Sequence, residues 1–171
     1  ERTGDFWEVH IARYQMAAAL YRLGEHREAV QEARLIQQSG LELGDDQASG
    51  ISLDVWARAS AGKIPDDVLR REVARERHDA QGTAQVLLGA GVQLIHANRA
   101  GDAASVFEQA LRIARQHGVM NGYVAPNLAW LATALRQQAA EDRSCTLQFR
   151  SRLLQRANQA ARRALCVARR F

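Results

Sequence analysis

The chain has 171 residues, 47% of them hydrophobic and 25% charged, with a formal net charge of +4; this fits one compact domain and excludes a disordered polyelectrolyte. Only two prolines, with many Ala, Leu, Arg and Gln residues and few β-branched runs, favour helix throughout. No apolar run reaches the ~20 residues needed to cross a bilayer, and the opening ERTGDFWEVH has neither the basic nor the apolar region of a signal peptide, so a cytoplasmic location is expected.

Residues 6–23 place Val9, Ala12, Met16, Ala17, Leu20 and Leu23 on one helical stripe, closed by Gly24. A second helix over 26–39 carries Ala29, Val30, Ala33 and Ile36 and is expected to break at Gly40 and again at Gly44. Asp45 and Asp46 can cap a third helix, about 46–61, through Ile51, Leu53, Val55 and Trp56. A short, heavily charged helix over 65–77 follows, with Pro65, Asp66 and Asp67 in its first turn.

The clearest stretch is 84–118. Val86, Leu87, Ala90, Leu94 and Ile95 form one stripe, and Ala103, Val106, Phe107, Ala110, Leu111 and Ala114 form another. Asn98, which tolerates the left-handed conformation, and Arg99 separate the two helices. Small residues at Gly91 and Ala103 let the backbones approach, and Phe107 fills the space between them. A helix over about 121–140 contains Pro126 in its first turn and Leu128, Leu131, Ala132 and Leu135 on one side. Residues 141–147 read as a loop. The last helix, about 148–170, carries Leu153, Leu154, Ala157, Ala161, Ala164, Leu165 and Ala168.

Gly91, Ala103, Phe107, Ala110 and Leu111 resemble the signature of a tetratricopeptide repeat, although the Trp and closing Pro of the full pattern are missing. The turn LGEHREA at 23–29, with Ala17 and Ala33, is similar to the inter-helix turn of the same family. Equivalent positions Ala29, Asp67, Ala103 and Ala157 recur at intervals near the period of that repeat, the last stretched by the 141–147 loop. The resemblance implies an all-α fold: a right-handed superhelical stack of about four antiparallel helical hairpins, over 6–39, 46–77, 80–118 and 121–170, in a single domain. Segments such as ALYRLGEHREAV and YVAPNLAWLATALR are also similar to the helical-repeat region of large bacterial signalling proteins, in which such repeats adjoin ATPase, kinase or sensor domains. With no initiator Met, the chain then reads as a fragment of a longer protein.

No constellation for chemistry is visible. Gly89-Ala90-Gly91 lacks the third glycine and the preceding strand of a dinucleotide loop, and reads as close helix packing. His10, His26, His78, His96 and His117 lie apart with no metal-ligand spacing, each near a helix end or polar face where solvation accounts for it. Asp66-Asp67 and Glu141-Asp142 are paired carboxylates at helix ends, where capping explains them. Cys145 and Cys166 read as thiols of a reducing compartment, with a disulfide between them left open. No catalytic residue, cofactor or metal is expected.

Two binding surfaces are expected instead. In the family resembled, the first helix of each hairpin faces the concave side, so Tyr14, Tyr21, Arg22, Trp56, His96 and Arg136 would line a groove for a peptide or helix. Phe107, Trp130 and Trp56 also suit the core. The second surface is basic. Residues 143–171 carry eight arginines and no acid, while the rest of the chain is net acidic and holds the single lysine, Lys63. Arg150, Arg152, Arg156, Arg162 and Arg163 could be a solvated face, a dock for an acidic neighbour, or a phosphate-binding surface for nucleic acid. The expected function is non-catalytic protein interaction in signal transduction, with a nucleic-acid-associated module as the alternative. A homodimer through an unpaired terminal face stays open.

Overall fold

A computed structural model describes residues 6–141 and 146–170. These residues form eight α-helices and no strand: α1 (Phe6–Leu23), α2 (His26–Leu43), α3 (Asp46–Ala59), α4 (Asp66–Ala74), α5 (Ala80–His96), α6 (Ala100–Gln116), α7 (Pro126–Glu141) and α8 (Leu147–Ala168). No helix among them is long and apolar enough to cross a membrane.

One device closes four of the helices. Gly24, Gly44, Asn98 and Gly118 all have positive φ, and the next amide turns back to a carbonyl five residues earlier: Glu25 to Leu20 at 2.9 Å, Asp45 to Gly40 at 2.8 Å, Arg99 to Leu94 at 2.9 Å and Val119 to Ala114 at 2.8 Å. Each reversal satisfies carbonyls that a helix end leaves open. Helix starts use side chains. Asp45 accepts from the amide of Ala48, Asp79 from those of Gln81 and Gly82, and Thr146 from that of Phe149.

Several boundaries differ from the sequence expectation. Gly40 lies inside α2, which runs on to Leu43. Glycine there does not break the helix; it removes a Cβ that would sit 2.6 Å from the Ser49 amide, so the end of α2 and the start of α3 can touch. α3 stops at Ala59 because Ala61 and Gly62 are left-handed. Pro65 precedes α4 in extended backbone, and α4 ends at Ala74. Residues 121–125 are a turn, and α7 begins at Pro126. The turn is held by Asn121 Oδ1, which accepts from the amides of Tyr123 and Val124.

The odd-numbered helices pack in succession: α3 lies between α1 and α5, and α5 reaches α7. α2 fits against α1 and α3, and α6 against α5 and α7. α4 is lightly attached to α3 and α5, and α8 packs its backbone on α7, reaching α6 through side chains such as Arg156. The core runs through Ile36, Leu53, Leu88, Phe107, Leu128, Leu135 and Leu153, all essentially sealed from solvent. Phe107 lies directly over Gly91, where any side chain would collide with its ring, and Gly89 brings α5 against the Leu53 carbonyl. Those glycines serve packing, as expected. Trp56 is buried and Trp130 half-buried at the core's edge. On α8 the buried ridge is Leu153, Ala157 and Ala160. Leu154 and Leu165, expected on the same face, stand exposed, because the helix backbone packs closely only on α7.

Candidate interaction clefts

The residues expected to line a groove fall into three places. Tyr14, Tyr21 and Arg22 of α1 gather around Asp54 and Arg58 of α3. Tyr14 is buried; its hydroxyl donates to Asp54 Oδ2 at 2.8 Å and accepts from Gln85 Nε2 at 2.8 Å. Arg58 pairs with Asp54 Oδ1 at 2.6 Å and lies 4.8 Å over the ring of Tyr21. Tyr123, from the turn before α7, packs on Tyr14 with ring centroids 5.9 Å apart and accepts from Gln15 at 2.6 Å. Between these groups and the exposed Arg22 is a niche of about 40 Å³, comparable to the volume of one water, ~30 Å³. Trp56 is buried elsewhere, with Arg34 of α2 over its ring at 5.2 Å. His96, the last residue of α5, and Arg136 of α7 are exposed and separate from the Tyr14 cluster. Arg136 borders a cleft with Leu154, Ala157 and Ala161 of α8.

Burial, and then the neighbouring Asp54 charge, push the Tyr14 hydroxyl well above the ordinary phenol value. For Arg58 burial, the largest single effect, acts downward, but Asp54 together with Tyr14 and Tyr21 outweighs it and the guanidinium is held above its ordinary value. A carboxylate, a guanidinium, a phenol and an amide thus satisfy one another inside the odd-helix face. The sequence concealed this network. Asp54 sits between Leu53 and Val55 in a run that reads as core, and apart from Arg58 one turn on, its partners lie 31 and 40 residues away.

The arginines expected as a basic surface, Arg150, Arg152, Arg156, Arg162 and Arg163, are all exposed on α8. Two of them enter a cleft of about 340 Å³ whose walls are α6 and α8 and whose floor is α7. Arg156 and Arg163 stand on one wall, and Arg112 and Arg115 on the other; Leu111, Leu128, Leu131 and Leu135 lie beneath. Arg156 reaches across to Glu108 of α6. Arg112, Arg115 and Arg163 have no acidic partner among the described residues. Arg112 and Arg115 were not singled out in the sequence, where α6 reads as an ordinary amphipathic helix. A second cleft, about 510 Å³, follows α2 past Arg27, Val30, Arg34 and Leu35.

One arrangement has catalytic order. His10 Nδ1 is 2.7 Å from Asp45 Oδ2, and His10 Nε2 is 2.9 Å from Ser39 Oγ, the succession of groups that activates a serine in hydrolases. His10 is only 1% exposed, however, so it is not the solvated histidine expected from sequence. The other oxygen of Asp45 caps α3 at 3.0 Å from Ala48 N, and the three side chains line none of the clefts described above. They tie α1 to the α2–α3 turn. Among the described residues no group of three His, Cys, Asp or Glu side chains could hold a metal. Cys166 is exposed; Cys145 and Asp142, and with them the disulfide and one carboxylate pair, lie outside the described residues.

Compared with family models, with curated proteins and with solved structures, the chain matches none.

Proposed function

We propose that the chain is a non-catalytic protein-interaction module: a stack of tetratricopeptide-like helical hairpins, forming the regulatory or sensory region of a bacterial signal-transduction protein in the cytoplasm. It holds a peptide or helix, from a partner or a neighbouring domain, in a surface groove. Three features support the stacked-hairpin reading. The odd helices pack in succession, similar left-handed turns close four helices, and Phe107 is seated on Gly91. The observation that carries the function is the cleft between α6 and α8, where arginines without acidic partners stand over a leucine floor. The odd-helix niche at Arg22 is too small for a peptide, whereas this cleft reaches the ~300 Å³ at which binding pockets begin.

Panning a random peptide library against the chain tests this. Enrichment of related sequences that bind saturably in solution is expected; a library that yields no saturable binder contradicts the proposal.

A second reading is a nucleic-acid-associated module that uses Arg150, Arg152, Arg162 and Arg163, all exposed and without an acidic partner among the described residues. It predicts affinity for duplex DNA that falls steeply with salt as counterions are released.

A further inference from the structure

We infer that the cleft between α6 and α8 takes an acidic amphipathic segment of another protein, a step that rests on the interaction reading above. Its walls carry four arginines and one glutamate, a surplus of three positive charges on facing helices. The arginines are not a uniform coat on α8. Arg156 and Arg163 line the cleft together with Arg112 and Arg115 from a different helix, while Arg150, Arg152 and Arg162 do not line it. Two elements distant in sequence converge the same charge on one space. Like charges across a narrow space repel, and relief comes from an anion placed between them.

The molecule already contains one instance of that contact. Glu108 on α6 accepts from Arg156 on α8, so a carboxylate in this space is within reach of the opposite wall. Arg112, Arg115 and Arg163 have no such acid among the described residues. Carboxylates supplied by a partner would complete the set, with the planar guanidinium fork suited to two-point contact.

The floor separates a peptide from a nucleic acid. Leu111 of α6 and Leu128 and Leu131 of α7, largely buried, present only their aliphatic edges to the cleft, and no aromatic platform for bases lines it. Glu108 on the wall disfavours a continuous run of phosphates. A segment with carboxylates along its edges and Leu or Phe at helical spacing matches both the walls and the floor. The Arg-lined cleft along α2 is a weaker candidate, since Arg34 there lies on the Trp56 ring.

Fluorescence anisotropy provides the test. The probe is a labelled peptide of about 16 residues, roughly 24 Å as a helix, with Glu on two faces and Leu at spacings of three and four. Comparison probes carry Gln or Lys in place of Glu, and a single-stranded oligonucleotide of similar length is run beside them. The Glu peptide is expected to bind saturably and the Gln peptide at least about tenfold more weakly, as loss of charge-assisted hydrogen bonds implies. Arg112→Glu with Arg163→Glu should weaken the Glu peptide by a similar factor and give measurable affinity for the Lys peptide. Arg150→Glu with Arg152→Glu, the same charge change away from the cleft, should leave the Glu peptide within about twofold. Equal loss in both double variants, or tighter binding of the oligonucleotide than of the peptide, overturns the inference. If the Glu peptide fails while library-selected peptides bind and survive Arg112→Glu with Arg163→Glu, this inference falls and the interaction reading stands. If nothing binds, both fall.

Discussion

Tyr14 has its hydroxyl between a carboxylate and an amide, all three buried, and its loss would leave Asp54 short of a donor. Tyr14→Phe keeps the ring and removes only the oxygen, so the expected cost is that of an under-satisfied buried acceptor, about 1–3 kcal/mol, read from urea unfolding. The pH dependence follows from the direction of its shift. Tyr14 binds its proton more tightly in the folded chain than in the unfolded one, so the stability it supplies is complete below the ordinary phenol value near pH 10. It is lost as pH rises through the higher folded value. Ultraviolet titration of the tyrosinates should show a last alkaline step that disappears in Tyr14→Phe; an unchanged curve contradicts the assignment. At this scale little was legible beforehand. His10 read as a solvated residue, and Asp54, Arg58 and Gln85 were not singled out; Arg58 pairs with Asp54 within α3, but the other partners of Asp54, and those of His10, come from distant parts of the chain.

Local patterns carried further at the scale of the elements. Apolar stripes located the helices other than α4, which was read from Pro65, Asp66 and Asp67, and Asp45 and Asn98 mark a start and a stop by chemistry that acts within a few residues. Gly40 misled because a glycine in a polar stretch resembles a helix end, whereas its role depends on α3 lying against it. Gly91 was legible because its partner Phe107 belongs to the next helix of the same hairpin. Gly91→Ala forces a methyl group into the Phe107 ring and should destabilise the chain by about 1–3 kcal/mol, the usual range for overpacking; an unchanged thermal midpoint would argue against close packing of α5 and α6.

α4 shows the opposite balance. Its few contacts with α3 and α5 are supplemented by Glu72, fully buried, which accepts from Ser49 at 3.1 Å and pairs with Arg75 and Arg77. Burial lowers the Arg77 pKa, and Glu72 beside it only partly restores it. Removing the carboxylate leaves cationic groups without their partner. Glu72→Ala is expected to cost about 3–5 kcal/mol. Hydrogen exchange should quicken across α4 more than across α5 and α6; uniform quickening would mean that α4 does not detach separately.

At the scale of the whole molecule, the sequence showed the charge asymmetry but not what faces it. The eight arginines in the last 29 residues were plain. That two on α8 would meet two on α6 above leucines of α7 depends on α8 docking its backbone against α7, which periodicity does not specify. The groove expected along the first helices had a physical basis in Tyr14, Tyr21 and Arg22. There Tyr14 packs on Tyr123, Tyr21 lies under Arg58, and the niche beside the exposed Arg22 is about 40 Å³. The proposal therefore puts recognition on the side of α6 and α8.

The most direct test of that claim is a backbone amide chemical-shift titration of the chain with the strongest library-selected peptide. Saturable shifts concentrated at 108–115 and 156–163, with the amides of Arg22, Arg58 and Tyr123 unmoved, are the predicted result. Shifts centred on those three residues, with α6 and α8 silent, would contradict it.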